Sequence, residues 1–567
     1  MSSELGTGNR EQELAPGAPG LVGRSGWDLF ALLAVVTGTA LRARHFFTGQ
    51  SLWQDEAMLA LNILDKSCRE LFGVLAYDQA APPLYLCLAR ATALPLNGSE
   101  LGLRLPSFLA GIVALVLVWR VGRRLINPEA AAWAVWLLAI SPLAIFFSNE
   151  VKPYMLDAAI AILLVGLANG VLTRPREGRG TCWLAAAGLM ALLTSFTAPF
   201  VLGAVGFVLM LDGVARRERV MVHRALALGL IWLTLFVVVY FSVYRHSGSS
   251  EFLHAYWKDY FLSLGPDWRA QLVNAVTASA SALSLPDPLI RARYLLPFAV
   301  LLVALTIRLA GWRAGLLLVI PNVLLLVAAL AHLYPLTDRL VLFVAPTTVL
   351  LCAAGIVGAA RGILPGSPAI RGVLIGMLVG GVGVVEWRSP PPGPGGARVA
   401  RDVVHWTTNQ AGPAPVFLVG FVVPTWLYYT TNWRSPDTDR LDWFKRQPRF
   451  GSATFAATGV SPPDPALAVY TPSGSPERRV EMVASPSGAS LRLEGWSRET
   501  FPAWGRDQAN AVSALGFPVV WVRAAEASEL EALTHGWLGL GGMVIRHEVR
   551  DDWTVLELRA PAGAADR

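Results

Sequence analysis

The chain reads as a series of long apolar runs separated by short polar connections. A bilayer core of roughly 30 Å takes about 20 largely apolar helical residues to cross. Runs of that kind begin near Trp27, Leu103, Ala130, Tyr154, Cys182, Ala198, Ala225, Tyr294, Ala314, Leu340 and Gly372. They predict about eleven spans, with Cys182 to Leu211 the hardest stretch to divide. One run falls outside the series: "PPLYLCLARATALPL", residues 82–96, is short for a span and carries Arg90. Its length and charge suit a helix lying in the interface.

After residue 388 the pattern changes. "EWRSPPPGPGGARVA" is rich in Pro and Gly, which predicts a linker over 389–400. Farther on, "PVFLVGFVV", "PVVWVRAA" and "WTVLELRA" are too short to cross a bilayer and read as strands, with "ARVARDVVHWTTNQ" as a helix. The expected architecture is therefore mainly α: a polytopic transmembrane bundle over 27–388, then a small α/β domain over 401–567. Residues 1–26, rich in Gly, Pro, Glu and Ser and without an apolar core, read as a disordered cytoplasmic tail and not a signal peptide.

Charge orients the bundle. The connections "RVGRRLINPE", "TRPREGRG", "RRERVMVHR", "RLAGWR" and "RGILPGSPAIRG" are basic. The alternate ones, "SNEVKPY", the long loop from Arg245 to Arg293 and "LYPLTDR", mix charges with aromatics. Short loops rich in Lys and Arg remain cytoplasmic. The first loop, 47–102, is then extracytoplasmic, and an odd number of spans places the C-terminal domain on the same side. Treating 82–96 as a span would invert every later basic loop.

Composition agrees. Hydrophobic residues make up 54% of the chain and charged residues 15%, against about 25% charged in soluble domains. The 20 tryptophans suit anchoring at the membrane–water boundary. The net charge of +7 is spent in the short basic loops, which argues against a nucleic-acid partner. Cys68, Cys87, Cys182 and Cys352 are scattered, and their spacing implies neither a disulfide framework nor a zinc site.

Three extracytoplasmic segments carry unusual polar residues. The first loop has Asp55 and Glu56 in "SLWQDEAMLALNIL", then Asp78 and Gln79 before "AAPPLY". "FFSNEVKPYMLD" supplies Glu150, Lys152, Tyr154 and Asp157, and "YPLTDRLVLFVAP" supplies Tyr334, Asp338 and Arg339. Each has a bland alternative. Neighbouring carboxylates in a loop are commonly solvated, basic residues at span ends snorkel to headgroups, tyrosines settle at interfaces, and Asp157 can pair with Lys152 or with polar groups in the bundle. Their common side favours a site, because ionisable groups at span ends are costly unless paired or facing water. Asp55 suits a general base toward a hydroxyl. Lys152 and Arg339 suit a phosphate and the charge it gains on departure. Spacing sets out no metal-ligand group, and metal dependence stays open.

The acidic pair, "DQAAPPLY" and "GSELGLRLPSFLAGIVALVLVWRVGRRL" together resemble the GT-C membrane glycosyltransferases. The nearer likeness is to the branch of protein O-mannosyltransferases (glycosyltransferase family 39), the aminoarabinose transferase of lipid A and the galacturonosyltransferases of lipopolysaccharide core. "SPLAIFFSNEVKPYMLD" and "YPLTDRLVLFVAP" are similar to segments of bacterial members, and the resemblance covers about residues 27–390. It implies a bacterial inner-membrane enzyme that takes a sugar from a polyprenyl phosphate, with inversion, to an extracytoplasmic glycan, lipid or protein. Asp55 matches the base of that family. Glu56 matches the second acid of its Asp-Glu pair, placed to position the acceptor or tune Asp55 through like charge. Lys152 and Arg339 lie in loops that, in relatives, approach the donor phosphate. Where many relatives have His before Pro-Pro, this chain has Ala81. The rival expectation is a flippase of lipid-linked sugars, which would carry ionisable groups in both membrane halves or internally repeated spans.

Overall fold

The computed structural model describes residues 21–245 apart from 78, 295–363 apart from 338, pieces of 257–262, and in the C-terminal region 400–411, 416–419, 422–436 and several short segments to residue 559. The tail 1–20, nearly all of the span expected from Gly372, the linker 389–399, Asp78 and Asp338 lie outside the described residues.

The bundle opens with α1 (Leu21–Phe47), which begins inside the expected tail. The first loop folds into α2 (Gln54–Asp65) and α3 (Pro83–Ala93). There follow α4 (Glu100–Leu125), α5 (Pro128–Ile140), the one-turn α6 (Pro142–Phe147), α7 (Tyr154–Thr173), α8 (Gly178–Thr194), α9 (Ala198–Ala215) and α10 (Arg219–Val239). Then come α11 (Leu295–Ala310), α12 (Trp312–Leu330) and α13 (Ala345–Ile363). Among the described residues, seven helices are long and apolar enough to cross a membrane. The ambiguous stretch divides at 195–197, where the Ser195 and Thr197 hydroxyls hydrogen bond at 3.1 Å between α8 and α9.

Helices apolar on every face are either buried or lipid-facing, and burial separates the two cases. Of the most apolar window of the last span, Leu342–Gly362, 72% is buried, against 17% for Arg219–Tyr244. The first is central and the second turns most of its surface outward. One end of the bundle is tied by the basic connections. Arg123 pairs with Asp28 at 3.1 Å, Arg361 with the buried Glu129 at 2.7 Å, and Arg216 and Arg313 both with the buried Asp212. Residues read from sequence as orientation signals thus also join helices.

The first loop corrects one expectation. Cys68 and Cys87 form a disulfide with their Cα atoms 5.2 Å apart across a separation of 19 residues. Spacing did not show it, because packing of α3 beside the turn after α2 brings the two together. Cys182 and Cys352 are free.

The C-terminal residues include a six-stranded mixed sheet in the order β2-β3-β1-β4-β6-β5. Its strands are β1 (Val416–Val419), β2 (Ala468–Tyr470), β3 (Val480–Val483), β4 (Val519–Ala524), β5 (Met543–Arg550) and β6 (Trp553–Arg559). β1 runs parallel to β3 and β4, while β6 is antiparallel to β4 and β5. With it go α14 (Ala400–Ala411), α15 (Val422–Thr430) and α16 (Ala527–Gly539). A second hydrophobic core joins α2 and α3 to Val403, Val404, Trp426 and Leu427 of α14 and α15. The segment with the acidic pair is therefore built partly by the C-terminal region.

Candidate active site

Asp55 and Glu56 fall in the first turn of α2, where the positive end of the helix dipole favours carboxylates. Neighbours in an α-helix project about 100° apart, so the two acids part company. Glu56 turns inward and is fully buried. It receives Arg104 at 2.9 and 2.6 Å, the Val151 amide at 2.8 Å and the Trp53 amide at 3.4 Å. It has no surface left for a ligand.

Asp55 turns the other way, and 24% of its side chain is exposed. Its Oδ2 lies 3.0 Å from Lys152 Nζ and 3.6 Å from Arg339 Nη1. Lys152 also donates to Gln79 Oε1 at 3.0 Å. Burial alone would raise the Asp55 pKa. Lys152 and then Arg339 outweigh it, helped by hydrogen bonds from Lys152 and Gln79, and hold the carboxyl below its ordinary value. Three segments far apart in sequence thus meet on one oxygen.

Arg339 is held from behind. Its guanidinium lies 4.9 Å from the centre of the Trp257 ring, a cation–π contact. The turn that bears it is fastened by Tyr334, whose hydroxyl donates to the Leu340 carbonyl at 3.2 Å and whose ring meets Phe200 edge-on at 5.3 Å. The Leu336 amide donates to the Tyr260 carbonyl at 2.8 Å, and Phe261 stacks on His332.

Glu150 is buried and accepts the Trp53 indole N–H at 2.7 Å. Burial and the neighbouring Glu56 push its pKa well above the ordinary range. Tyr154 packs against Phe147 at the mouth of α7. One turn deeper, the buried Asp157 hydrogen bonds to Ser195, and its Oδ1 has no partner among the described residues. Lys152 therefore goes to Asp55, and Asp157 to the gap between α8 and α9. Among the described residues no group of three His, Cys, Asp or Glu side chains is placed to hold a metal ion.

Arg104 and Trp257 were not singled out from the sequence. Arg104 carried a usable signal, a charge within the first two turns of an apolar helix. Trp257 carried none, since an aromatic in a long loop looks like any interface residue.

Residues 80–241 match the family profile described as dolichyl-phosphate-mannose-protein mannosyltransferase. That stretch takes in α3 to α10. The chain is also similar in structure to ArnT from Cupriavidus metallidurans, solved bound to undecaprenyl phosphate, at 13% identity and a TM-score of 0.47, over 96% of this chain and 99% of that one. It is similar to the Archaeoglobus fulgidus oligosaccharyltransferase in complex with Zn and sulfate, at 9% identity and a TM-score of 0.46, over 93% of this chain and 88% of that one. A further likeness is to the oligosaccharyltransferase AglB of the same archaeon with an inhibitory peptide and a dolichol phosphate, at 11% identity and a TM-score of 0.45, over 89% and 70% of the two chains. No curated protein sequence matches the chain.

Proposed function

We propose that this chain, a membrane glycosyltransferase of the GT-C superfamily, moves a sugar from a polyprenyl-phosphate donor to the hydroxyl of an extracytoplasmic acceptor, with Asp55 as general base. One observation carries the reading: a partly exposed carboxylate shares a single oxygen with two cations from different loops, Lys152 and Arg339. The lipid phosphate has the charge to draw both cations from Asp55. Freed of them, the carboxylate keeps its partly shielded setting and becomes the stronger base. It takes the acceptor's hydroxyl proton as that oxygen attacks C1 of the sugar. The bond from C1 to the phosphate oxygen breaks on the opposite face, which inverts the anomeric centre. The leaving phosphate gains a negative charge that Lys152 and Arg339 stabilise.

Glu56 serves here as an anchor. With Arg104 and the Val151 amide it ties the base of α2 to the loop that carries Lys152. The Cys68–Cys87 disulfide supports an oxidising, extracytoplasmic setting for the first loop. A bacterial inner membrane with the N-terminus inside is the corresponding location. The acceptor class is a glycan, lipid or protein carrying a free hydroxyl.

Full-length protein in nanodiscs, offered a panel of polyprenyl-phosphate sugars with membrane extract as acceptor, tests the reading. Asp55→Asn should slow transfer by about 10²- to 10⁴-fold, the usual contribution of a general base, with unchanged folding and polyprenyl-phosphate binding. Wild-type turnover by this variant removes Asp55 from the chemistry. In sealed vesicles a flippase would move the donor across the bilayer without consuming it, and that result would replace transfer by transport.

A further inference from the structure

Residues 49–52 bridge α1 and α2 without regular secondary structure, yet their polar groups are gripped from two sides. From α4, Arg104 donates to the Gln50 carbonyl at 2.6 Å and the Ser51 carbonyl at 3.1 Å. The other grip comes from the C-terminal domain. The Arg401 guanidinium donates to the Gly49 carbonyl at 2.7 Å, and the Arg401 amide donates to Ser51 Oγ at 3.0 Å. The Tyr429 hydroxyl accepts the Leu52 amide at 2.7 Å and donates to Glu100 Oε1 at 3.0 Å. Arg401 holds that same Glu100 oxygen at 2.9 and 2.5 Å.

The grip has an apolar counterpart. Leu52 is fully buried, and it belongs to the core that α2 shares with Val403, Val404, Trp426 and Leu427. Asp55 stands three residues after Leu52, in the first turn of the helix that this bridge starts. A shift of the Leu52 amide therefore carries through to the carboxylate. Lys152 and Arg339 come from other loops, those that follow α6 and α12.

We propose that the C-terminal domain sets the reach of Asp55. Arg401 and Tyr429 are positioning residues that fix the backbone of 49–52, and through it the first turn of α2. The inference rests on Asp55 being the base, and it gives the C-terminal domain a part in the reaction without contact with the reacting atoms. Misplacing a catalytic group by about 1 Å can cost about 10²-fold in rate, whereas donor binding depends on the two cations.

Tyr429→Phe removes the hydroxyl and leaves the ring in its packing. In full-length protein, hydrogen exchange of the peptide over 49–56 should quicken at least about tenfold, with α14 and α15 still protected. The kcat should fall by about 10- to 100-fold, with donor KM within about twofold. Arg401→Gln should act in the same direction. Arg434→Gln, which removes a contact to Asn97 at the same junction but away from 49–52, should leave kcat within about twofold. Unchanged exchange over 49–56 overturns the proposal. So does exchange that quickens throughout α14 and α15, because that is general loosening, and so does faster exchange with an unaltered kcat. If the wild type consumes no polyprenyl-phosphate sugar, the transferase reading fails by itself, and exchange over 49–56 still decides whether the domain holds the bridge.

Discussion

Asp55 carries two cations on one oxygen, and under the proposed mechanism that arrangement suits binding better than catalysis. In the free protein Lys152 and Arg339 keep its pKa below the ordinary value. If donor phosphate takes those cations, as proposed, the depression is relieved and the burial of the carboxyl pushes its pKa upward. The pH profile of kcat/KM reports free enzyme and that of kcat reports the bound complex. The acid limb of kcat should therefore lie at higher pH than the acid limb of kcat/KM. Coincident limbs, measured with any donor the enzyme consumes, would mean that the phosphate does not displace the cations. Asp55, Lys152 and Arg339 were legible in the sequence because charge at the end of an apolar span is expensive and needs a reason. The opposite fates of Asp55 and Glu56 were not, since helical phase matters only once the start of α2 is known. Arg42 was equally hidden. Fully buried in α1, it donates to Ser148 and to the carbonyls of Leu138 and Ala139 where α5 ends. It thereby braces the segment that leads to Lys152.

At the scale of elements, the first loop works as a preformed platform. Asn62 bonds the amide and carbonyl of Ala76, Arg90 caps the end of α2 through the Ile63 and Leu64 carbonyls, and Cys68 is bonded to Cys87 of α3. A disulfide closing a loop of this size contributes about 3 kcal/mol by restricting the unfolded chain. Cys68→Ser with Cys87→Ser should leave the spanning helices intact and make residues 66–76 markedly more sensitive to protease. Cleavage at the wild-type rate would show that packing alone holds α3. Long apolar helices, and the short helix that begins at Pro83, could be read from the sequence because length and charge are local properties. The disulfide, and the docking of α14 and α15 on α2, could not, because contacts between residues hundreds of positions apart leave no periodic trace.

For the whole molecule, sidedness decides whether a lipid-linked donor presented outside the cell can meet Asp55. The site-bearing segments 47–102, 147–154 and 331–341 gather at one end of the bundle. The pairs formed by Arg123, Arg216, Arg313 and Arg361 lie at the other. The short connections at that other end are the ones rich in Arg, and insertion with positive loops inside leaves such connections in the cytoplasm. The C-terminal domain touches the site end directly, through Tyr428 to the Gly98 carbonyl and Arg434 to Asn97, so it must share that side. Two labelling positions test the arrangement with the free Cys182 and Cys352 changed to Ser and the disulfide kept. Arg434→Cys, in the exposed part of the C-terminal domain, should react in intact cells with a maleimide that cannot cross membranes. Glu177→Cys, 60% exposed in the connection between α7 and α8, should react only after permeabilisation. The reverse pattern would turn Asp55 toward the cytoplasm and away from an extracytoplasmic acceptor, and labelling of both in intact cells would separate the domain's side from the loop signals.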